Sequence, residues 1–124
     1  EIGKASAIKM SFAAYTKGST ALLCAIMSAA DEMGVRQALE KQWSRSGSDF
    51  TERTHNRLRR VTAKAWRFSG EMEEIASTMK SAGQPQGFHL AASEIYKRIS
   101  KFKGADSIPT VEDVLEALKH DSKI

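Results

Sequence analysis

The chain has 124 residues, with 41% hydrophobic and 27% charged residues, eight glycines and two prolines. This composition is typical of a single globular domain and excludes a disordered or fibrous protein. Its longest apolar run, residues 21–30, is about half of the ~20 residues that a membrane-spanning helix needs, so we predict a buried helix and no membrane partner. The formal net charge of +4 permits an anionic partner without requiring one.

The first predicted element is one long helix over residues 5–33, ended by Gly34 as a C-terminal cap. Its apolar residues recur mostly at spacings of three and four, at Ile8, Phe12, Tyr15, Leu22, Leu23, Ile26, Ala30 and Met33. Because little polar face is left after Gly18, we expect this helix at the centre of a bundle or against a second subunit, which predicts a dimer. A short amphipathic stretch, 35–43, follows and ends in a serine-rich loop at 44–48.

The rest of the chain predicts three or four further helices. A third helix is expected over 54–68, from an apolar stripe of Thr54, Leu58, Val61, Ala65 and Phe68. Ser69 and Gly70 predict a break before a fourth helix, which runs from Glu71 to Gly83, and a fifth follows over 88–99. Thr110 with Asp113 resembles a capping box that opens a short last helix. No alternating strand pattern occurs, so the predicted fold is an all-α bundle of five to six helices.

Several kinds of site are not expected. The three histidines, His55, His89 and His120, lie in separate segments without a partner at ligand spacing, so we predict no metal site. The only cysteine, Cys24, lies in the apolar run, which favours core packing over a role as a nucleophile. A single cysteine without a partner thiol also predicts a reducing, cytoplasmic setting. No glycine-rich phosphate loop occurs, so the chain is not expected to bind a dinucleotide by itself.

Residues 52–67 hold six basic residues and one acid. Five of the basic residues recur at spacings of four and three and would line one helical face about 21 Å long, namely Arg53, Arg57, Arg60, Lys64 and Arg67. This basic stripe has two interpretations: a surface that binds phosphates or other anions, or a solvated face partly paired with the acidic residues of 71–74. Trp43 and Trp66 are spaced for packing rather than for stacking on bases, so nucleic acid is not the expected partner.

Lys9 lies near the start of the first helix, where the helix dipole disfavours a cation. Its neighbours on the same side are the small residues Ala5 and Ala13, followed by Thr16. Two interpretations are open: a surface lysine, or a lysine that exchanges a proton with a substrate hydroxyl or carbonyl in a closed cleft.

The segment 3–9, Gly-Lys-Ala-Ser-Ala-Ile-Lys, resembles the entry to the helical C-terminal domain of the β-hydroxyacid dehydrogenases. These enzymes include the 3-hydroxyisobutyrate and 6-phosphogluconate dehydrogenases. The stretches 65–76 and 87–96 are similar to a phosphogluconate-dehydrogenase-like C-terminal branch, and the resemblance extends over nearly the whole chain. It implies that residues 1–124 are the C-terminal half of an NAD(P)-dependent oxidoreductase, whose N-terminal Rossmann domain lies outside them and binds NAD or NADP.

The resemblance also assigns roles to residues. Lys9 would be the general acid or base acting on a β-hydroxyacid-like substrate, in a domain that closes the cleft, dimerises and is inactive alone. Where better-known members have a substrate-binding asparagine, this chain has Phe12 and Ala13, which leaves the substrate open. Nearby hydroxyls that could contact the substrate belong to Ser11, Tyr15 and Thr16. The alternatives are a non-catalytic helical oligomerisation module, or an anion or nucleic-acid binder that uses the basic stripe.

Overall fold

A computed structural model describes residues 3–122 and contains six α-helices. They are α1 (Lys4–Glu32), α2 (Arg36–Trp43), α3 (Phe50–Val61), α4 (Ala65–Ser81), α5 (Gly87–Arg98) and α6 (Val111–Leu118), with short 3₁₀ turns at Arg45–Gly47 and Ser100–Phe102. Residues 3–122 contain no β-strand, and the predicted all-α bundle is confirmed. No helix within this range is both long and apolar enough to cross a membrane.

Helix α1 organises the bundle. Its 29 residues span about 44 Å, and it contacts each of the other five helices. Gly34 ends it with a positive φ of 76°, while the Val35 amide donates to Ala30 O at 2.9 Å and the Gly34 amide to Asp31 O at 3.1 Å. These two bonds form a Schellman motif, which confirms the predicted glycine cap.

The core lies between α1 and the later helices, and α4 packs most extensively against α5. The largest fully buried side chains of the core come from every helix except α2. They include Cys24, Met27, Leu58, Met72, Tyr96 and Leu115. Burying a side chain of this size stabilises the fold by about 1.5–3 kcal/mol. The centre of the long predicted helix is therefore inside the bundle, whereas its first turns are not.

The boundary between the third and fourth helices differs from the predicted one. Helix α3 ends at Val61 rather than at Phe68, and Gly70 lies inside α4. The buried Thr62 hydroxyl donates to Arg59 O at 2.7 Å, and the Lys64 amide donates to Val61 O at 3.1 Å. These bonds tighten the last turn of α3 and end the helix. Gly70 is exposed, so it costs α4 only its weak helix propensity, about 1 kcal/mol.

Two polar contacts position the last segment of the chain. The Thr110 hydroxyl accepts a hydrogen bond from the Asp113 amide at 3.1 Å, so the predicted cap of α6 is confirmed. After α6, Ser122 donates to Glu94 on α5 through its amide at 3.0 Å and its hydroxyl at 2.7 Å. These two bonds attach Ser122 to α5.

Glu94 is expected to make the stability of the fold depend on acid pH. The Arg98 guanidinium and Ser122 stabilise its carboxylate and lower its pKa from 4.5 to about 2. Because the folded pKa is the lower one, the stabilisation is complete above about pH 4.5 and is lost as pH falls towards about 2. Urea unfolding at a series of pH values should show that Glu94→Gln destabilises the protein at neutral pH and weakens this acid dependence.

Glu74→Gln is the control, because Glu74 is exposed on α4 and makes no ion pair within residues 3–122. It should reproduce the pH dependence of the unchanged protein. An unaltered acid dependence in Glu94→Gln would contradict the role given to this carboxylate.

Candidate functional site

Lys9 lies on the open first part of α1. Every residue from Gly3 to Lys9 is exposed, so no other described helix covers these turns. Within residues 3–122, no carboxylate lies within ion-pair distance of Lys9, and α1 has no acidic residue in its first turn. The helix dipole disfavours a cation here, and no described residue compensates for it. The closed cleft considered for Lys9 is therefore not formed by these residues alone.

The hydroxyl residues predicted near Lys9 do not all share its side of α1. At 3.6 residues per turn, Thr16 lies about 20° from Lys9 around the helix axis, whereas Ser11 and Tyr15 lie roughly 120–160° away. Tyr15 is 74% exposed, and Thr16 is half-buried. The helix thus brings Lys9 and Thr16 to one side and separates both from Ser11 and Tyr15.

Arg57, on α3, contacts α1 on the side that Lys9 shares with Thr16. Its Nη2 donates to Thr20 Oγ1 at 2.6 Å and to Ser19 Oγ at 3.1 Å, with Thr16 O further away at 3.5 Å. The Ser19 and Thr20 hydroxyls donate their own protons to Thr16 O, at 3.2 and 2.9 Å. Each hydroxyl therefore presents a lone pair to the guanidinium, which fixes the position of Nη2.

The predicted basic stripe is not one continuous face. Because α3 ends at Val61, only its first three members share a helix, while Lys64 precedes α4 and Arg67 lies within it. The predicted pairing with residues 71–74 is also wrong for the two acids that form ion pairs. Glu71 pairs with Lys17 at 2.5 Å and Glu73 with Lys97 at 3.0 Å. The continuous basic face is therefore wrong because α3 ends at Val61. The pairing of this face with Glu71 and Glu73 is wrong because Lys17 and Lys97 form ion pairs with them instead.

An apolar groove of about 690 Å³ runs between α1 and α5. Its lining includes Ala14, Tyr15, Gly18, Leu22, Phe88 and His89. His89 is only 7% exposed, and its Nε2 lies 3.1 Å from Ala14 O. Since a carbonyl oxygen only accepts, Nε2 carries the proton of this hydrogen bond. Nδ1 is buried and has no hydrogen-bond partner within residues 3–122.

Gly18 allows α1 to approach His89, and Gly18→Ala is expected to disturb this contact. A Cβ at residue 18 would lie 3.2 Å from His89 Nε2, so the ring must move by a few tenths of an ångström, which disturbs its hydrogen bond to Ala14 O. Weakening this bond to a buried group costs about 1–3 kcal/mol, against about 1 kcal/mol gained in helix propensity. We expect the free energy of unfolding in urea to fall by about 1 kcal/mol.

Gly70→Ala is the matched control, because Gly70 is also inside a helix but has no atom within 4 Å of an added Cβ. It should stabilise the fold by about 1 kcal/mol. Equal stabilisation by both substitutions would show that His89 accommodates the methyl group.

Cys24, His55 and His120 were the other residues considered for chemistry, and each has neighbours within the described part of the fold. Cys24 is fully buried, and burial raises the pKa of its thiol to about 12, so its prediction as a core residue is confirmed. His55 lies 2.8 Å from Glu40 and His120 3.2 Å from Glu116. No cluster of three or more metal-binding side chains is found in the described part of the chain.

The two tryptophans differ in their surroundings. Trp43 is half-buried and packs edge-on against Phe50, with ring centroids 4.9 Å apart. Trp66 is 44% exposed, and the Lys103 ammonium lies 3.9 Å from its ring centroid. Packing within the fold is therefore confirmed for Trp43, while much of Trp66 is at the surface.

Comparison with known families assigns this helical bundle to one family. The family described as "Domain of unknown function (DUF1932)" matches residues 30–99, which is more than half of the chain, and the chain belongs to this family. DUF1932 is the helical C-terminal domain of NAD(P)-binding β-hydroxyacid dehydrogenase-like proteins. Searches of curated proteins and of solved structures give no match. The resemblance is thus confirmed at the level of the family, while the matched range does not include Lys9, Ser11, Tyr15 or Thr16.

Proposed function

We propose that this chain is the substrate-closing and dimerisation domain of an NAD(P)-dependent oxidoreductase that acts on a β-hydroxyacid-like substrate. Membership of DUF1932 is the observation that carries the proposal. A Rossmann domain of the same protein would hold NAD or NADP, which supplies the hydride acceptor or donor. Because these 124 residues contain no glycine-rich phosphate loop, the chain alone is expected to be inactive.

Lys9 is proposed as the general acid and base. In the oxidation, its neutral amine takes the proton of the substrate hydroxyl while the carbon of that hydroxyl loses a hydride, which leaves a carbonyl. In the reduction, the Lys9 ammonium returns the proton to the carbonyl oxygen. The exposure of Lys9 and the absence of a carboxylate beside it within residues 3–122 support this role. The cofactor domain would supply the second wall of the cleft and exclude water.

The dimer is proposed to form along α1. Its surface carries a seam spaced by four and three residues, formed by Ile8, Phe12, Tyr15, Ser19, Leu22, Ile26, Ala29 and Met33. All of these residues are exposed except Ser19, which is half-buried. This α1 seam contains no charge and extends for about 38 Å. A repeat of this kind is the pattern by which two helices pack in a coiled coil, so the proposed occupant is α1 of a second copy.

Leu22→Asp is expected to convert the dimer into a monomer, measured by sedimentation velocity at micromolar concentration. Leu22 is 60% exposed at the middle of the seam, and an aspartate there would bury a charge against apolar residues of the partner. Ile108→Asp is the control, because Ile108 is 48% exposed but lies on the loop before α6. A monomer without any substitution, or a dimer that survives Leu22→Asp, would contradict this interface.

The oxidoreductase activity is tested on the whole protein that carries this domain. The reading frame upstream of Glu1 is expected to encode a βαβ unit with a glycine-rich turn. The purified protein should then reduce NAD or NADP with at least one member of a panel of β-hydroxyacids, followed by absorbance of the reduced nucleotide. An upstream sequence without such a unit would contradict the proposal and leave a non-catalytic oligomerisation module.

A further inference from the structure

The α1 seam reads the same from both of its ends. Its eight residues are spaced by 4, 3, 4, 3, 4, 3 and 4 positions, so a second copy of the seam can pair with all eight in two ways. In a parallel pair, each residue faces its own copy. In an antiparallel pair about a two-fold axis, residue i faces residue 41 − i of the partner. Ile8 then faces Met33, and Ser19 faces Leu22 beside the axis.

The sizes of the seam residues favour the antiparallel pair. There, Phe12 faces Ala29 of the partner subunit and Leu22 faces Ser19 of the partner subunit, so a large side chain meets a small one. In the parallel pair, Phe12 would face its own copy, whereas the small residues Ser19 and Ala29 would face theirs and leave gaps. Large residues opposite small ones fill the space between two helices at the density of a protein interior.

Ser19 can be covered by Leu22 of the partner subunit without losing a hydrogen bond. Its hydroxyl donates to Thr16 O at 3.2 Å and accepts from Arg57 Nη2 at 3.1 Å. Both bonds are made within one copy, so burial leaves no unpaired polar atom in this side chain. A serine at the centre of the α1 seam is therefore compatible with a buried interface.

The charges beside the α1 seam also favour the antiparallel pair. Lys4 and Lys9 are exposed and lie on opposite flanks of the seam, about 140° apart around the helix axis. In a parallel pair, opposite flanks face each other, so Lys4 of one copy would repel Lys9 of the other. In the antiparallel pair each flank faces its counterpart, which brings Glu32 of the partner subunit to the flank of Lys4. The Glu32 side chain is 72% exposed, so it is accessible to a second copy.

We propose that α1 pairs antiparallel with α1 of a second copy, in the register in which residue i faces residue 41 − i. This inference rests on the dimer of the proposed function and adds its orientation and its contacts. The pair would cover the large apolar residues of the α1 seam, each 37–74% exposed, which monomeric proteins rarely leave in one continuous surface. They are Ile8, Phe12, Tyr15, Leu22, Ile26 and Met33.

The antiparallel pair has consequences for the groove and for Lys9. Tyr15 and Leu22 belong to the α1 seam and also line the groove between α1 and α5, so the second copy would cover this edge of the groove. The two Lys9 residues of the dimer would lie about 35 Å apart along the helix pair. Each proposed catalytic lysine is therefore far from its copy, and the two sites would be separate.

Cysteines placed in the α1 seam of the 124-residue chain test the orientation. The double variant Phe12→Cys and Ala29→Cys is treated with a short bismaleimide and run on a denaturing gel. It is expected to form linked dimers, because the two positions face each other between the copies. Either single variant should stay unlinked, since its two copies lie about 26 Å apart along α1. Cys24 is fully buried, and burial raises the pKa of its thiol to about 12, so the unchanged chain should give no link.

A second pair of cysteines covers the case in which the loss of Phe12 weakens the dimer. Ile8→Cys with Met33→Cys should also link, and each single variant should not, because its copies lie about 38 Å apart. Phe12→Cys with Ile108→Cys is the control for random collision. Ile108 is 48% exposed but lies on the loop before α6, so this combination should give no link.

The outcomes separate the orientation from the dimer itself, which sedimentation velocity measures for every variant. A linked dimer of the Phe12→Cys single variant would show a parallel pair and overturn the proposed orientation, while the dimer of the proposed function would stand. A dimer in which neither pair of cysteines links would place the interface away from the α1 seam and also overturn it. A monomer of the unchanged chain would contradict both the orientation and the dimer.

Discussion

Lys9→Ala in the whole protein is expected to lower kcat by about 10²- to 10⁴-fold, the range that general acid and base catalysis contributes. The substitution removes the group that exchanges a proton with the substrate oxygen while the hydride moves. Lys9 is exposed and has no ion pair within residues 3–122, so its loss should leave the fold intact. Steady-state rates with a substrate found in the β-hydroxyacid panel would measure the effect.

Lys4→Ala is the matched control for this substitution. Lys4 is also exposed on the first part of α1, but it lies about 140° away from Lys9 around the helix axis. Its loss should change kcat less than twofold. Partial recovery of the Lys9→Ala rate by added methylamine would indicate that the missing group is an amine that transfers protons. An unchanged kcat in Lys9→Ala would reject the catalytic role.

Tyr96→Ala is expected to lower the free energy of unfolding by about 3–5 kcal/mol, as is usual for a large aromatic core residue. Tyr96 is 0% exposed, its ring packs edge-on against Phe68 at 5.6 Å, and its hydroxyl donates to Lys17 O at 2.5 Å. It therefore joins α5 to both α4 and α1. The loss is a large part of the 5–15 kcal/mol that stabilises a typical domain, and urea unfolding would measure it.

Two further variants separate the contributions to this effect. Tyr96→Phe keeps the ring and removes only the hydroxyl, so it should cost about 0.5–1.5 kcal/mol. Phe88→Ala removes an aromatic residue of α5 that is 72% exposed and should change stability by less than about 0.5 kcal/mol in the monomer. Similar losses for Tyr96→Ala and Phe88→Ala would contradict the position of Tyr96 at the centre of the core.

Helix ends were predicted correctly where residues close in sequence mark them. Gly34 closes α1 through its positive φ, and the Thr110 side chain caps α6; both depend on residues close in sequence. The end of α3 at Val61 was missed because the stripe of apolar residues continues across it. Leu58, Ala65 and Phe68 are all buried, so spacing alone does not reveal that they belong to two helices.

The candidate site was predicted less completely than the fold. Lys9 was singled out by its position near the start of the first helix, and a family resemblance gave it a catalytic role. Helix geometry then separated Thr16 from Ser11 and Tyr15. Arg57 was seen only as one member of the basic stripe, since its contacts with α1 join residues more than 35 positions apart. The sequence signal that could have indicated this contact is the pair Ser19 and Thr20, two adjacent hydroxyl residues just before the apolar run of α1.

The α1 seam and the side of α1 that carries Lys9 belong to the same uninterrupted helix, so their angular phase is fixed by residue count. Inserting one residue between Lys9 and Thr16 would rotate one end of α1 against the other by about 100°. Lys9 would then point away from the side that carries Arg57, although every side chain was retained. An insertion of seven residues, about two turns, would shift the phase by only about 20°. The angular phase between the two ends of α1 is therefore preserved only when its length changes by about whole turns, each of which also moves the ends about 5.4 Å apart.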